Sequence, residues 1–370
     1  MEQDTRFMTL ALELARAAEG QTSPNPLVGA VIVRDGQVVG MGAHLKAGEP
    51  HAEVHALRMA GEKARGATLY VTLEPCSHHG KTPPCAEAVI AAGIARVVVA
   101  VVDENPLVAG KGIALLRAAG VDVTVGVCEQ EAKKLNEVFW HYMKTKRPFV
   151  TVKTASTLDG KIATSTGHSR WITGEAARSE VHALRRKHDA ILVGVGTVLA
   201  DDPQLTARAK GELYGRQPVR VILDSRLRTP LEARVVQDKA APTWIVTTAE
   251  APEERRQAFA AVAGVKLITL NAPLSVPAVL EKLGELGITS LLVEGGAEVN
   301  GSFLQARAIQ KVVSYVSLKL AGGKLAPTPF GGTGFATMDE AVPLADLSIE
   351  RVSEQDVRIV GYPQWDRASE

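Results

Sequence analysis

The stretch Thr68-Leu69-Tyr70-Val71-Thr72-Leu73-Glu74-Pro75-Cys76 decides the fold of the first half of this chain. Its opening β-branched and apolar run reads as a buried strand. Glu74-Pro75 ends it, because proline cannot donate to a ladder, and so a thiol is left at the strand's carboxyl end. Upstream, His51-Ala52-Glu53 opens an amphipathic stretch with Val54, Leu57 and Ala60 or Met59 on one side. Downstream, Pro83-Pro84-Cys85 leads into an apolar helix from Ala86 to Ala92. An imidazole and a second thiol thus sit at helix starts, where the positive dipole end favours a thiolate. Groups on two helix starts and one strand end can converge.

One imidazole, two thiolates and a nearby carboxylate are the set a zinc deaminase needs. Zinc held by His51, Cys76 and Cys85 keeps a fourth position for water and lowers that water's pKa. Glu53 then moves protons without binding the metal, as in the deaminase pattern of His-x-Glu followed by a Pro-Cys pair of thiols. The usual Cys-x-x-Cys is stretched here to eight intervening residues. Each element alone is weak, since His-x-Glu is common in helices and an isolated Cys is often a small buried apolar residue. The ordered set on suitable elements carries the reading.

The chain has 370 residues, 46% hydrophobic and 22% charged, which is ordinary globular usage and too long for one core. Net charge +1 gives no electrostatic footprint for nucleic acid, and Arg185-Arg186-Lys187 reads mainly as a solvated helix end. Of three cysteines two are claimed by metal, leaving Cys128, so no disulfide framework is expected. Without a signal-like amino terminus or a long apolar run, the expectation is a soluble cytoplasmic protein with no membrane partner.

Strand and helix patterns alternate through the first half, an α/β layer arrangement. The charged stretch Glu129–Lys146 reads as helical and is closed by Arg147-Pro148, placing the expected domain division at 1–146 and 147–370. In the second half Ala190–Val193, Val219–Leu223, Trp244–Thr248, Val265–Leu270 and Ser290–Val293 are short apolar runs of the kind parallel sheets bury. Lys311–Leu320 and Asp356–Val360 read as a late antiparallel pair. Gly194-Val195-Gly196-Thr197 lacks the third glycine of a dinucleotide fingerprint. Glu294-Gly295-Gly296 before the helix Ala297–Gln305 reads either as an anion site or as a plain turn.

The pattern Asn25-Pro26, Val28-Gly29-Ala30, His51-Ala52-Glu53, Glu74-Pro75-Cys76 and Pro84-Cys85, then Ser156-Thr157-Leu158-Asp159-Gly160-Lys161, Trp171-Ile172-Thr173 and Thr197 through Asp201-Asp202-Pro203, resembles the bifunctional pyrimidine deaminase/reductases of bacterial riboflavin biosynthesis. The resemblance spans nearly the whole chain. It implies a cytidine-deaminase-like N-terminal domain, a dihydrofolate-reductase-like C-terminal domain, and Zn²⁺ and NADPH as cofactors. The implied activities are deamination of 2,5-diamino-6-ribosylamino-4(3H)-pyrimidinone 5′-phosphate and reduction of its ribosyl to a ribityl chain. By the same resemblance His51, Cys76 and Cys85 are zinc ligands and Glu53 the proton shuttle. NADP contacts fall on Ala155, Trp171, Thr197, Asp201, Ser225 and the run Gly296, Ala297, Glu298, Val299, Asn300, Gly301 and Ser302. Ser169, Arg185, Leu205, Arg208 and Glu294 match positions that hold the phosphorylated substrate, and the two arginines suit a phosphate monoester. Lys153, Asp159 and Glu294 are the polar residues to watch as proton donors, and Lys81 and His78 as substrate contacts in the first domain. The partner expected is this small phosphorylated pyrimidine, with self-association left open.

Two other readings compete. A tRNA or nucleoside deaminase fused to an unrelated domain would share the zinc elements, but would call for a basic surface and a closer cysteine pair. A non-catalytic, metabolite-binding protein with structural zinc would need a fourth protein ligand, for which His44, His55, His78 and His79 are the donors at hand.

Overall fold

In the computed structural model residues 2–77, 84–103 and 109–365 are described. The chain divides into two compact units, Met1–Thr145 and Lys146–Glu370.

Unit 1 runs α1 (Glu2–Ala17), β1 (Gly29–Arg34), β2 (Gln37–Ala43), α2 (Ala52–Ala60), β3 (Thr68–Val71), α3 (Cys85–Ala91), β4 (Arg96–Val99), α4 (Lys111–Ala118), β5 (Asp122–Val125), α5 (Glu129–Leu135) and α6 (Glu137–Thr145). Its described strands form one sheet in the order β2-β1-β3-β4-β5. The β1 strand is antiparallel to both neighbours, and β3, β4 and β5 are parallel. One face packs Ile32, Leu69, Val71, Val97 and Val99 against alanines of α2 and α3. The other packs Val31, Tyr70 and Val98 against Phe7, Met8 and Leu12 of α1. This alternation along β1 and β3 is the period-2 pattern of strands buried on both sides. The stretch expected as one helix from Glu129 is broken at Asn136. There the buried side-chain amide leaves helix geometry to exchange two hydrogen bonds with the backbone of Leu27, at 2.8 and 2.9 Å.

Unit 2 comprises β6 (Phe149–Thr157), α7 (Glu175–Lys187), β7 (Ala190–Gly194), α8 (Val195–Asp201), the short hairpin β8 (Arg208–Ala209) and β9 (Glu212–Leu213), β10 (Val219–Leu223), α9 (Arg234–Gln237), β11 (Thr243–Thr248), α10 (Glu253–Ala260), β12 (Val265–Leu270), α11 (Val276–Glu285), β13 (Ser290–Val293), α12 (Ala297–Gln305), β14 (Lys311–Ser317), β15 (Leu344–Arg351) and β16 (Asp356–Pro363). Its main sheet has the order β12-β11-β10-β7-β13-β6-β14-β16-β15 among the described residues. From β12 to β14 every pairing is parallel. The β14 and β16 strands close it as an antiparallel pair, as their sequences suggest. The outermost strand, β15, was not legible: its exposed Leu347 and Ile349 and its register shift give an edge strand with no buried face to set a pattern.

Candidate active sites

In unit 1 the side chains of His51, Cys76 and Cys85 meet, their ligand atoms all within 4.8 Å of one another. His51 caps the start of α2, Cys76 lies beyond the end of β3, and Cys85 is the first residue of α3. His51 Nδ1 is 3.2 Å from Cys85 Sγ and 3.6 Å from Cys76 Sγ, and the Cys85 N–H donates to Cys76 Sγ at 3.3 Å. These donors hold Cys76 as the thiolate. The Cys85 thiol is foremost, burial opposes it, and His51 adds to it, for a pKa of about 4. Cys85, beside that thiolate and buried, is pushed up, and His51 is raised by its hydrogen bond to Cys76. One negative charge shared by two thiols and an imidazole is the donor chemistry of a cation that would take both as thiolates, and it fits zinc.

Glu53 stands two residues along α2 and is only 3% exposed. Burial drives its carboxyl up to about 7, and Oε2 has no partner among the described residues. A carboxyl poised near neutrality with a lone oxygen is suited to taking a proton and giving it back. The two described histidines considered as a fourth ligand, His44 and His55, do not join the cluster. His44 is buried, with Nε2 accepting from the Asn25 amide at 3.1 Å, which leaves Nδ1 to donate to the Pro50 carbonyl at 3.2 Å. Its ring then packs edge-on against His51, centroids 5.4 Å apart. His78, His79 and Lys81 lie outside the described residues.

A positioning group that sequence reading passed over is Glu74. Its buried carboxylate accepts from the backbone N–H groups of Asp103 and Gly110 on one oxygen, and of Gly112 and Ile113 on the other, at 2.9 to 3.2 Å. Gly112 lies so close that a Cβ would sit 2.0 Å from the Pro75 carbonyl oxygen. The turn that presents Cys76 is therefore fastened to the start of α4. Its only sequence signal was an acidic residue inside an otherwise apolar strand end.

In unit 2 register brings Lys153 and Glu294 together, since Val293 pairs with Val152 and each is one residue further along a parallel strand. Lys153 Nζ is 3.2 Å from Glu294 Oε2. Arg185, one hundred and nine residues before Glu294, grips the same carboxylate with Nε and Nη2 at 2.7 and 3.0 Å. The Glu294 side chain is 7% exposed; burial works to raise its pKa, but Arg185 and Lys153 outweigh that and hold it at about 2. Arg185 is thus a buried partner and not part of a solvated helix end.

Thr206 links this network to the other substrate positions. Its carbonyl accepts from Arg185 Nη1 at 3.2 Å and faces His182 Nδ1 at 3.1 Å, while its hydroxyl accepts from Arg208 Nε at 3.0 Å. Neither His182 nor Thr206 was legible as a site residue, because both act through a main-chain carbonyl. Leu205 is in the core with a left-handed backbone, φ +50°, so only its main chain is available to a ligand.

The remaining positions gather at the carboxyl ends of adjacent parallel strands. Ala155 is on β6, Thr197 and Asp201 are on α8 after β7, Ser225 follows β10, and Gly296 to Ser302 follow β13. Trp171 is 65% exposed with the Arg178 guanidinium 4.5 Å above its ring, so it is not a core aromatic. Ser169, nearby in sequence, is half-buried. Asn300 and Gly301 turn inward. Asn300 donates to the Pro329 carbonyl at 2.8 Å, and a Cβ on Gly301 would lie 2.3 Å from the Gly331 carbonyl oxygen. Asp159 accepts from Thr157 Oγ1 at 2.6 Å and from the N–H groups of Ala321 and Gly322, holding it ionised with a pKa of about 2. It fastens the loop at Ala321 and Gly322 to the end of β6.

Residues 148–357 match the family model for the RibD C-terminal domain, and residues 1–101 that for the cytidine and deoxycytidylate deaminase zinc-binding region. The riboflavin biosynthesis protein RibD of Bacillus amyloliquefaciens is 51% identical over 97% of this chain and 96% of its own length. The chain belongs to the RibD family. RibD of Escherichia coli K12 is 46% identical, with 97% of each chain covered. Among solved structures, Acinetobacter baumannii RibD superposes with a TM-score of 0.87 at 42% identity, covering 98% of this chain and 99% of the other. The Thermotoga maritima diaminohydroxyphosphoribosylaminopyrimidine deaminase/5-amino-6-(5-phosphoribosylamino)uracil reductase gives 0.86 at 40%, with the same coverage. Like the family, this chain is a bifunctional enzyme of riboflavin biosynthesis, α/β throughout, with a cytidine-deaminase-like zinc domain followed by a dihydrofolate-reductase-like domain that uses NADPH. The rival reading of a nucleoside or tRNA deaminase joined to an unrelated domain is not favoured. No helix among the described residues is long and apolar enough to cross a membrane.

Proposed function

We propose that residues 1–146 deaminate 2,5-diamino-6-ribosylamino-4(3H)-pyrimidinone 5′-phosphate and that residues 147–370 then reduce the ribosyl group of the product to a ribityl chain. The observation that carries the first half is the convergence of His51, Cys76 and Cys85 beside the buried Glu53 carboxyl, whose Oε2 has no partner among the described residues. Those three side chains hold the zinc, which when bound supplies Lewis-acid activation of water. Glu53 takes a proton from the attacking water and returns protons to the ring nitrogen and the departing ammonia, for which a pKa of about 7 is well matched. Water is consumed, ammonia leaves, and a ring carbonyl remains. His44 keeps the His51 imidazole in place, and Glu74 does the same for the Cys76 turn.

In the second half NADPH supplies the hydride that C1′ of the opened ribosylamine receives, and the protein's work is placement and a proton. Glu294 and Asp159 are held ionised, which leaves the Lys153 ammonium as the donor among the three polar groups considered. Arg185 has three of its N–H groups committed to Glu294 and Thr206, so its task is to orient that carboxylate. Arg208, engaged through Nε alone among the described residues, keeps its terminal nitrogens for the substrate phosphate. We place the reactions in the cytoplasm, with this small molecule and no nucleic acid as partner. The test is a coupled assay on zinc-loaded protein, with ammonia release measured first and NADPH oxidation after its addition. Ammonia followed by NADPH consumption is expected; NADPH consumption without prior ammonia release would overturn the order.

A further inference from the structure

We infer that Gln217, in the loop between β9 and β10, is a positioning residue of the reductase: its side-chain amide fixes the two peptide planes between Thr206 and Arg208, and so sets how well unit 2 grips the phosphate of its substrate. The inference rests on the reading of Arg208 as a phosphate contact and adds to it the group that aims it.

Arg208 stands on a weak element. The hairpin of β8 and β9 has two residue pairs, Arg208 with Leu213 and Ala209 with Glu212. Its turn, Lys210-Gly211, takes positive φ at both residues, +51° and +85°, the geometry of a tight two-residue hairpin loop. Residues 209–216 are all exposed. A two-stranded ribbon of this length has little stability of its own in water. Gln217 holds its base. Oε1 accepts from the Ala207 N–H at 2.8 Å, and Nε2 donates to the Ala207 carbonyl at 3.0 Å. The Tyr214 and Gly215 carbonyls lie 3.3 and 3.4 Å from the same nitrogen. Three carbonyls around one end of the amide and an N–H at the other admit a single orientation of it. The side chain thus pairs with Ala207 as a neighbouring strand would. Ala207 is only 1% exposed, so an N–H there that lost the amide would be left buried without a partner.

Peptide planarity carries the effect to the site. The Ala207 N–H belongs to the same rigid unit as the Thr206 carbonyl. Gln217 takes one edge of that plane, while Arg185 Nη1 and His182 Nδ1 take the other at 3.2 and 3.1 Å. The next plane, with the Ala207 carbonyl and the Arg208 nitrogen, is held by Gln217 again and by the Tyr214 N–H at 3.1 Å. Two fixed planes in succession set the direction in which the Arg208 side chain leaves the main chain. Thr206 Oγ1 then takes its Nε at 3.0 Å. Gln217 is itself anchored on both sides. Arg216 reaches the buried Asp189 carboxylate at 2.9 Å, and Pro218 keeps the preceding backbone extended as it enters β10.

The test separates aim from folding. Full-length zinc-loaded protein is assayed for NADPH oxidation with the deaminated substrate and with the same compound lacking its 5′-phosphate, in the parent, Q217L, Q217N, R208A and Q217L/R208A. The ratio of the two kcat/KM values measures the grip on the phosphate. Loss of the amide's hydrogen bonds is expected to lower that ratio about tenfold in Q217L, through KM and not kcat, and by less in Q217N, which keeps an amide one methylene short. R208A should lower it further, and Q217L should add nothing in the R208A background, because the two residues act on one contact. An equal fall with both substrates would make Gln217 a structural residue only, and full additivity in the double variant would break its link to Arg208; either result overturns the inference and leaves the Arg208 reading standing. An unchanged ratio in R208A would overturn both.

Discussion

The two sites solve the burial of charge in opposite ways. In unit 1 a buried carboxyl oxygen on Glu53 has no partner among the described residues, and two thiols and an imidazole crowd together around one shared charge. In unit 2 the buried Glu294 carboxylate is closed by Arg185 and Lys153, and Arg185 is tied onward to Thr206. The first arrangement is incomplete until a cation arrives. The second is complete in the protein alone. A metal site of this kind spends folding energy that binding returns, whereas a closed ion network can hold its geometry before substrate or cofactor binds.

The sharpest way to break that contrast is to remove the metal. Dialysis against a strong chelator is expected to abolish deamination and lower the unfolding temperature of unit 1, with NADPH-dependent reduction of the already deaminated substrate retained. Equal loss of both activities would mean that the two sites are not independent.

A step smaller is Glu53→Gln. It should cut deamination by about a hundred- to ten-thousandfold, the usual worth of a positioned acid/base. Zinc content by elemental analysis and the reductase rate should be unchanged; loss of zinc would instead make Glu53 a ligand.

Glu294→Ala should destabilise unit 2 by about 3 to 5 kcal/mol in denaturant titrations, because it leaves Arg185 buried without its counter-charge. Glu294→Gln, which keeps the shape, should cost less and still impair reduction. If both variants were as stable as the parent, the network would not be the closed unit described.

The smallest effect is on acid stability. Glu294 is held at about 2 against an ordinary 4.5, so its folded form binds the proton less well than the unfolded chain. Its stabilising share is therefore complete above pH 4.5 and is lost as pH falls toward 2. Unit 2 of the parent should lose more stability across that window than unit 2 of Glu294→Gln, as followed by urea midpoints at stepped pH.

Much of the fold was legible because the strands of both sheets are buried on two faces and so read as continuous apolar runs, from Thr68–Val71 to Ser290–Val293. The zinc donors were legible for a different reason. His51 and Cys85 sit at helix starts and Cys76 at a strand end, and helix and strand boundaries are written in local sequence. What escaped reading was whatever depended on a main-chain partner far away. Glu74 is satisfied by four N–H groups from residues 103 to 113, and His182 faces a carbonyl at residue 206. Arg185 looked like one charge in a basic helix end until Glu294 was placed opposite it.

The sequence by itself determined the donor chemistry of the first site, the division into two α/β units, and the family to which the motifs belong. Side-chain identity and local periodicity suffice for these. Only the tertiary structure decided which charges neutralise each other: that Arg185 and Lys153 close on the Glu294 carboxylate, and that Asp159 accepts from Thr157 and from the N–H groups of Ala321 and Gly322. The reason is physical. Whether a charge is free or spent depends on what lies within a few ångströms of it, and that is set by strand register and packing between residues a hundred positions apart.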